Sequence, residues 1–550
     1  MTVAKRAHVY PQVALAAADL ADVAVVVAPA AITVADALAR VRKRNAGLLA
    51  AGASHVLRDD LVRAASLGLG ELRAVEIARS LPAVDPGAGE TVLRRLLAAG
   101  APLVTVRSAR SIRGAVSGRL ACLGVAEASA AGRVSRSLPG DVRELLKTIG
   151  RIAEEHDGRA YLVGGLVRDL WRGAPIGERD LDIVIEGDAP TVARRLARVL
   201  GGSVVEHRRF LTASVTARAF GRIDVATSRS ERYEAPGALP RVLPAGIGED
   251  LRRRDFTVNA LAIELSSGEF GLIDRLGARL DLARRRLRVL HPLSYVEDPT
   301  RIFRAARYIA RLGLSPDPAT ARAQALALRL VPYPALSGQR IAAELERVLG
   351  EAQPGVILAG LGRAGAFRLL DPGYRFTATS RRRLAELPRA LAWARDRALE
   401  VDAVGLAALA IVGDRPAAAA RAALARLGFA GGPLATLERA HATVGSLASE
   451  LAAAAAPSER ARLLRGRAPV ELAWLWLTGE RAVRETLDWF TGLDSRVVTL
   501  SGDDVVALGV PRGPAVARVL AEVRDARLDG TLTNRAMEEA HVRQWIAKGG

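Results

Sequence analysis

The sequence predicts an α/β domain followed by an all-helical body, with a smaller α/β repeat in front. Three observations predict this fold class, α/β plus all-α. Between residues 161 and 290, apolar runs of strand length alternate with amphipathic helices. From about Phe367 onward, alanine, leucine and arginine recur with helical period. Before residue 125 a short succession of strand-like and helical segments occurs twice, which is typical of an internal repeat.

The composition favours an anionic partner. The chain of 550 residues carries a net charge of +20, and all but four of its 79 basic residues are arginines. The planar guanidinium group suits bidentate contacts with phosphates and base edges. A coding bias that replaces lysine by arginine would explain the ratio but not the positive excess, so we expect RNA or DNA as a partner.

The sequence also predicts the compartment. Cys122 is the only cysteine, which excludes an internal disulfide framework and favours the reducing cytoplasm. The longest apolar stretch, near residues 23–35, is too short to span a bilayer and contains Pro29. The start lacks a signal-peptide pattern. We therefore expect a cytoplasmic protein with no membrane partner.

Two aspartates lie on one strand-like run in the stretch from Tyr161 to Gly187. Asp180 and Asp182 flank Leu181, so their carboxylates point to the same face of the sheet. Two carboxylates this close repel each other unless a cation binds them. Mg²⁺, held by a few carboxylates and by substrate phosphates, is the usual partner. The sequence therefore predicts a magnesium site.

A glycine turn precedes these acids. Gly164 and Gly165 lie between the strand-like run at residues 161–163 and a helical segment that carries Arg168. Backbone N–H groups at a helix N-terminus bind phosphate, and glycine lets the backbone approach it closely. Together the turn and the acids are typical of a triphosphate site facing a metal. Taken alone, they fit equally well a surface turn with two solvated acids.

The chain beyond Gly187 is expected to form one helix and three strands, at residues 190–200, 203–206, 212–216 and 222–226. Asp224, an acid among apolar neighbours in the last strand, is either a third carboxylate near the metal or an exposed strand acid. The segment from Ser230 to Pro244 is rich in proline, glycine and charge, so we expect a mobile loop beside the site.

Two arginine-rich patterns follow. The first is three adjacent arginines, Arg252 to Arg254, which either bind a triphosphate or form a solvated face. The second is a polar stripe with a spacing of three, expected on one helix face, which consists of Asp298, Arg301, Arg304 and Arg307.

The stripe has two interpretations. An aspartate accepts hydrogen bonds and an arginine only donates them, so Asp298 and Arg301 together can bond the Watson–Crick edge of a base. The commoner explanation of this spacing is a row of salt bridges. Both interpretations stay open at this point.

The N-terminal repeat contains the segments ITVADALARV, VLRDDLVRAASLGLG and PAVDPGAGETVLRRLLAAGAPLVTV. On these segments, residues 1–125 resemble a degenerate pair of CBS domains, which often bind adenine nucleotides. Asp60 stands where that family has its ribose-binding aspartate, whereas the second copy has no acid after Val116. The resemblance implies a structural or oligomerising role, with a dimer formed through this pair. Residues 126–140 are expected to be a linker, after which Asp141 caps a helix.

Three motifs occur together and in order: Gly164-Gly165 with Asp180-x-Asp182, Arg254-Asp255-Phe256 with Asn259, and Glu297-Asp298-x-x-Arg301-x-x-Arg304. In this combination they resemble the class II tRNA nucleotidyltransferase and bacterial poly(A) polymerase family. Gln339-Arg340-Ile341 with Glu344 resembles the next motif of that family. The resemblance covers residues 160–350 closely and extends more loosely to the C-terminus.

The resemblance implies a role for each motif residue. Asp180 and Asp182 would bind two Mg²⁺ ions, one activating the RNA 3′-hydroxyl and one neutralising the leaving pyrophosphate. Asp224 would be a third catalytic acid. Asp298 and Arg301 would select C or A without a nucleic-acid template. The nucleotide would be bound by Gly164, Gly165, Arg168, Arg254, Asn259, Asp298, Arg301, Arg304 and Arg307.

The resemblance also implies a domain order and a reaction. A nucleotidyltransferase head with a polymerase-β-like mixed sheet would cover residues 141–290, nucleotide-selecting neck helices 291–370, and a helical body and tail that binds tRNA 371–550. The chain would transfer CMP or AMP from CTP or ATP to the 3′ end of tRNA and release pyrophosphate.

Several activities stay open within this resemblance. A CCA-adding enzyme, an A-adding enzyme and a poly(A) polymerase share the motifs. The intact loop from Ser230 to Pro244 argues against a CC-only enzyme, whose relatives shorten it, and the CBS-like pair favours A addition. The stretch EHRRFLTASV lacks the basic signature of poly(A) polymerases. An RNA-binding or nucleotide-sensing protein without catalysis is the alternative from another class.

Overall fold

The computed structural model describes residues 15–108, 111–118, 128–175, 181–207, 211–266, 268–493 and 497–549. The chain forms two compact units, Met1–Leu336 and Ser337–Gly550. Strands and helices build the first unit, and the described part of the second is helical throughout. The predicted order of an α/β part before an all-helical body is therefore confirmed.

The N-terminal module (residues 15–118) contains two copies of one arrangement. Its elements are β1 (Val25–Ala28), α1 (Val34–Lys43), β2 (Leu48–Ala51), β3 (Ser54–Leu57), α2 (Arg58–Ser66), β4 (Ala83–Val84), α3 (Glu90–Ala98), β5 (Leu103–Ser108) and β6 (Ser111–Ser117). In each copy the first strand pairs parallel with the second, and the second pairs antiparallel with the third. The predicted internal repeat is confirmed, and the resemblance to CBS domains stays a prediction.

The head (residues 128–290) follows the N-terminal module. Its strands are β7 (Ala128–Ser129), β8 (Arg159–Val163), β9 (Leu181–Glu186), β10 (Ser203–His207), β11 (Thr212–Ala217), β12 (Gly221–Thr227), β13 (Arg229–Arg232), β14 (Arg241–Pro244), β15 (Ala262–Glu264), β16 (Gly271–Ile273) and β17 (Arg286–Leu287). Its helices are α4 (Ala131–Ser137), α5 (Gly140–Glu154), α6 (Gly165–Arg172), α7 (Ala189–Leu200), α8 (Ile247–Arg252) and α9 (Ala278–Ala283).

The head is built on a mixed sheet of eight described strands in the order β10-β11-β12-β9-β8-β15-β16-β7. β9 and β12 are parallel, and the other neighbours are antiparallel. Alternating side chains enter two cores, because successive residues of a strand face opposite sides. Ile183 and Ile185 pack with helices α5 and α7 on one face. Tyr161, Val163 and Val184 pack with helix α8 on the other.

The predicted linker at residues 126–140 is wrong for the residues that the structure describes there. Strand β7 pairs with β16 at the edge of the sheet. Helix α4 buries Val134, and Leu138 directly after it is buried in the same core. These two apolar side chains, four residues apart, hold the segment on the head despite its small and polar neighbours. Helix α5 begins at Gly140, so Asp141 lies in its first turn and does not cap it.

The segment from Ser230 to Pro244 was predicted to be a mobile loop, but its two ends pair with each other as the strands of a β-hairpin. Strands β13 and β14 pair antiparallel, from Arg229 opposite Pro244 to Arg232 opposite Arg241. The charges are accommodated because Glu231 accepts a hydrogen bond from Arg253 Nη1 at 2.8 Å. The high charge of this segment therefore reflects ion pairs with the head and not disorder.

The first unit ends with α10 (Ser294–Glu297), α11 (Arg301–Leu312), β18 (Ser315–Pro316) and α12 (Pro318–Arg329). Asp298 lies between α10 and α11 in an extended conformation, with φ −136° and ψ 94°. The helical stripe predicted from Asp298 to Arg307 is therefore wrong at its first member. Pro299 is the reason, because a proline disfavours helical geometry at the residue before it.

The second unit contains twelve described helices. They are α13 (Gly338–Leu349), α14 (Pro354–Arg363), α15 (Ala378–Asp396), α16 (Ala403–Val412), α17 (Ala417–Arg426), α18 (Gly431–Ala453), α19 (Pro457–Leu464), α20 (Pro469–Thr478), α21 (Arg481–Thr491), α22 (Gly502–Ala507), α23 (Pro514–Leu528) and α24 (Arg535–Ala547). The neck predicted at 291–370 is divided between the units, because α13 packs on α16 and α14 on α15. No described helix combines the length and the apolar character needed to cross a membrane.

Gly277→Ala tests a close backbone approach between the N-terminal module and the head. Gly277 has φ +74°, and a β-carbon there would clash with the carbonyl group of Ala99. Gly268 has φ +69° and open space around it, so Gly268→Ala carries only the conformational cost, about 1–2 kcal/mol. We expect Gly277→Ala to lower the midpoint of thermal unfolding clearly more than Gly268→Ala. Equal shifts in calorimetry would contradict the tight approach.

Candidate active site

The predicted glycine turn lies directly beside a predicted catalytic aspartate. Gly164 has φ +78° and precedes helix α6. A β-carbon built on Gly164 would lie 2.9 Å from Asp182 Oδ2. The backbone conformation favours glycine at this position, and a side chain here would also push the Asp182 carboxylate away from the start of α6. Gly165 is the first residue of that helix.

Two carboxylates are aligned on neighbouring strands. Asp182 in β9 is the register partner of Asp224 in β12. Partners in a parallel pair point to the same face, so the two acids lie side by side. Asp224 Oδ1 accepts hydrogen bonds from Ser214 Oγ at 2.5 Å and from Arg222 Nε at 3.0 Å. The structure thus brings Asp224 to Asp182, but with an arginine already paired to it.

These acids fit Mg²⁺, which in proteins takes oxygen ligands from one or two carboxylates plus substrate phosphates. Asp182 is exposed and Asp224 is half-buried. Asp180, the other predicted ligand, lies outside the described residues. Within the described ranges no group of three or more His, Cys, Asp and Glu side chains is suited to hold a metal. Asp182 and Asp224 are therefore the two candidate ligands that can be placed.

Arg168 is buried behind the turn. It is 4% exposed, and its Nε and Nη2 each donate to the carboxylate of Asp169 at 3.0 Å. Its Nη1 donates to Asn259 Oδ1 at 2.8 Å. The guanidinium carbon also lies 5.6 Å from the centre of the Tyr308 ring, within range of a cation–π contact. These contacts fix the guanidinium group next to the first turn of α6.

The hydrogen-bond network continues through a buried acid. Asn259 Nδ2 donates to Asp255 Oδ1 at 3.0 Å, and Arg304 donates to Asp255 Oδ2 from Nε at 2.9 Å and from Nη2 at 2.6 Å. Burial alone would raise the pKa of Asp255, but Arg304 and Asn259 outweigh it and hold the pKa below its usual value. Three predicted nucleotide-binding residues, Arg168, Asn259 and Arg304, are therefore linked in one network.

Each arginine of the triplet Arg252 to Arg254 is paired with an acid, so the triplet is not simply a solvated face. Arg254 Nη2 donates to Asp250 Oδ2 at 2.8 Å, and Arg253 Nη2 donates to Asp250 Oδ1 at 2.7 Å. Arg252 pairs at the surface with Glu249. The fully buried Asp250 thus orients Arg253 and Arg254, and Arg254 remains a candidate phosphate-binding residue.

Asp298 and Arg301 lie at the start of α11 but bond different partners. Asp298 Oδ1 accepts from the backbone N of Thr300 at 3.0 Å and from its hydroxyl at 2.6 Å. Arg301 is 6% exposed and donates to Ser294 Oγ at 2.8 Å and to the carbonyl oxygen of Arg253 at 3.0 Å. Arg307 lies half-buried on the same helix.

Sequence analysis assigned no role to three acids that organise the site, namely Asp169, Asp250 and Asp255, although Asp255 stands in one of its motifs. Each pairs with an arginine that was itself predicted or lies beside a predicted one. The signal was present in the chain, because Asp169 follows Arg168 and Asp250 precedes Arg254 by four residues. A buried arginine requires a nearby acid, and this rule points to both.

Two adjacent carboxylates, one exposed and one half-buried, lie with a glycine turn and a buried arginine at one end of a mixed sheet. This combination places the chain in the class of nucleotidyltransferase heads.

Comparison with known proteins narrows the class. Residues 160–288 match the model of the Poly A polymerase head domain. An A-adding tRNA nucleotidyltransferase from Geobacter sulfurreducens is 33% identical over 413 residues, which cover 73% of this chain and 47% of that protein. A CC-adding tRNA nucleotidyltransferase from Deinococcus radiodurans is 34% identical over 392 residues, covering 71% and 90%. A Thermotoga maritima CCA-adding enzyme complexed with tRNA has a TM-score of 0.63 at 25% identity, covering 76% and 99%.

The chain belongs to the family of tRNA nucleotidyltransferases and poly(A) polymerases. The predicted family is therefore confirmed. The chain spans about half the length of the A-adding relatives that it matches, 47% and 52% for the first two.

Asp255→Asn tests the network through its pH dependence. The pKa of Asp255 is lower in the folded state than in the unfolded chain, so its ionisation stabilises the fold above pH 4 and this contribution is lost as the pH falls through the folded-state value. We expect the variant to cost about 2 kcal/mol at pH 7, and its stability to fall less steeply than that of the wild type between about pH 5 and pH 3. Urea titrations at each pH measure both effects.

The matched control is Glu144→Gln, which removes an acid from an exposed ion pair with Lys147. Its stability at pH 7 should change by less than about 1 kcal/mol. A parallel pH dependence of Asp255→Asn and the wild type would show that Asp255 is not ionised in a paired state.

Proposed function

We propose that the chain adds AMP from ATP to the 3′ end of tRNA that ends in CC and releases pyrophosphate. The single observation that carries the proposal is the placement of Asp182 in register with Asp224, in contact with the turn at Gly164. Family membership supplies the reaction type, and the residues around the site support the choice of nucleotide.

Asp182 and Asp224, together with Asp180, are proposed to hold Mg²⁺. Bound there, the metal would lower the pKa of the attacking 3′-hydroxyl and would neutralise charge on the leaving pyrophosphate. The first backbone N–H groups of α6, opened by Gly164 and Gly165, bind the phosphates of the nucleotide. Arg168 lies behind this turn and adds positive charge without moving, because Asp169 and Asn259 hold it. The protein thus contributes positioning and fixed electrostatics.

Asp298 and Arg301 are proposed to select the base. Arg301 would exchange its bond to the Ser294 hydroxyl for an acceptor on the base, while its bond to the Arg253 carbonyl oxygen keeps it at the end of α8. Arg304 supports the same segment through Asp255. Selection then depends on hydrogen bonds that only the correct base edge can satisfy.

The hairpin favours A addition over CC addition. Gly237 N, in its connection, donates to the Val296 carbonyl oxygen at 3.0 Å, and Tyr233 OH lies 3.5 Å from Arg301 Nη2. The hairpin therefore contacts the segment that would read the base. A shortened hairpin could not make these contacts, so its presence supports an enzyme that accepts ATP.

The second unit is proposed to bind the acceptor stem of tRNA. Helix α15 shows the pattern, because it exposes Arg381, Arg382 and Arg389 while Leu384 and Leu387 are buried. Arginines on one exposed face bind phosphates without reading sequence. Dimerisation through the N-terminal module and a cytoplasmic location remain proposals.

Three tRNA transcripts test the choice of nucleotide. They end before CCA, after C and after CC, and each receives CTP, ATP or both with Mg²⁺ in a single-turnover assay. We expect A to be added to the CC end only. Extension of all three transcripts to CCA would replace the proposal by a complete CCA-adding enzyme, and long A tails would replace it by a poly(A) polymerase. No addition to any transcript would refute nucleotidyl transfer to tRNA.

Asp182→Asn tests the metal site separately. We expect kcat to fall about 1,000-fold or more, because charge stabilisation by a metal contributes several kcal/mol. The Kd for tRNA should stay unchanged, since the exposed carboxylate does not attract RNA. Asp157→Asn is the control, because Asp157 is exposed and has φ +54°, a conformation that asparagine tolerates. Full activity of Asp182→Asn would contradict the assigned site.

A further inference from the structure

The N-terminal module directly touches the segment that carries the proposed base-selecting residues. Arg63 on helix α2 donates from Nη1 to Glu297 Oε1 at 2.9 Å. Arg79, between the two copies of the repeat, donates from Nη1 to the Leu290 carbonyl oxygen at 2.9 Å. Glu76 of the same module forms an ion pair with Arg329 of helix α12. Three polar contacts thus join one copy of the repeat to residues 290–329.

Glu297 is the most buried residue in these contacts. It is 4% exposed, and its two oxygens have different partners, because Oε1 accepts from Arg63 and Oε2 lies 3.2 Å from His291 Nε2. Burial lowers the pKa of His291, so its ring is neutral at pH 7. The cation in direct contact with this buried carboxylate is therefore Arg63, which belongs to the N-terminal module.

Glu297 directly precedes the proposed base-selecting residue. It is the last residue of α10, and the chain becomes extended at Asp298. Arg301 N then donates to the Asp298 carbonyl oxygen at 3.1 Å and opens helix α11. A displacement of Glu297 would therefore move the backbone of Asp298, because one peptide unit separates them.

The second copy of the repeat contacts the same part of the head from another side. Gly100 and Gly277 approach so closely that a β-carbon on either would clash with the backbone opposite. Arg288 donates to the Leu276 carbonyl oxygen at 2.7 Å, next to this contact. Both copies are thus packed against residues 276–297.

From these contacts we propose that the N-terminal module positions the base-selecting segment, and that Arg63 is the positioning residue through which it acts on Asp298. The inference rests on the proposed function, because it assumes that Asp298 reads the base. Without Arg63 the Glu297 carboxylate would lose the arginine bonded to its Oε1 while staying buried, and α10 would shift to bring it toward water. The segment from Glu297 to Arg301 would then no longer be held in one arrangement.

The test compares Arg63→Met with Arg58→Met in the full chain. Both residues lie on helix α2, but the Arg58 side chain donates to Asn45 of its own module. The first measurement is amide hydrogen exchange over residues 291–304. We expect faster exchange there in Arg63→Met and no change in Arg58→Met.

The second measurement is the ratio of kcat/KM for ATP to that for CTP on CC-ending tRNA. We expect Arg63→Met to reduce this ratio by about fivefold or more, with the KM for tRNA unchanged. Arg63→Lys should restore part of the ratio, because it keeps the charge. Glu297→Gln should reproduce the loss, and its combination with Arg63→Met should add little.

The outcomes separate the inference from the function on which it rests. An equal loss with both nucleotides would show a structural role only and would overturn the inference. The same would follow if Arg58→Met behaved like Arg63→Met, or if exchange over residues 291–304 did not change. A wild-type chain that extends no tRNA would refute the proposed function before any variant is compared, and the selection claim would fail with it.

Discussion

The buried carboxylate of Asp255 is the interaction on which the candidate site depends. One of its oxygens accepts from Asn259 and the other from Arg304. Asn259 in turn accepts from Arg168, so one acid connects α6, the helix after the glycine turn, with α11, the helix that carries Arg301 and Arg304. Moving either helix would leave a charge unpaired in a medium of low dielectric constant, where that is costly. The network therefore links the start of α6, proposed to bind phosphate, with helix α11, which carries Arg301.

Burial separates the acids of the head by role. Asp250 and Asp255 are buried, and they pair with arginines: Asp250 with Arg253 and Arg254, Asp255 with Arg304. Asp182 is exposed on the sheet face, where a cation and a polyphosphate can reach it. A site for a metal-bound triphosphate needs both signs of charge within a short distance. In this fold the buried acids pair with arginines behind the turn, whereas Asp182, the proposed metal ligand, lies at the surface.

The sequence predicted features that depend on local periodicity. The alternation in β9 placed Leu181, Ile183 and Ile185 in a core and Asp182 on the opposite face, as the structure has it. It left Asp224 undecided, because the register between β9 and β12 is a non-local property that alternation does not encode. The same limit explains the wrong prediction at 126–140. The residues against which Val134 packs lie far from it in the chain and come together only in the folded head. Composition was misleading in the hairpin, where the charge of Glu231 is balanced by an arginine far along the chain.

The structure also gives Asp60, a residue on which the resemblance of the N-terminal module to CBS domains rests, a different partner from a nucleotide. Asp60, which stands at the ribose-binding position of CBS domains, is 1% exposed and accepts from Arg79 at 2.6 and 2.8 Å. The same arginine donates to the Leu290 carbonyl oxygen of the head. Because Asp60 is buried and both of its oxygens already accept from Arg79, a ribose could reach it only if this pair were disturbed, and the bond of Arg79 to Leu290 with it. Binding of a nucleotide at Asp60 would therefore compete with contact between the module and the head. In this fold Asp60 helps to join the module to the head by orienting Arg79.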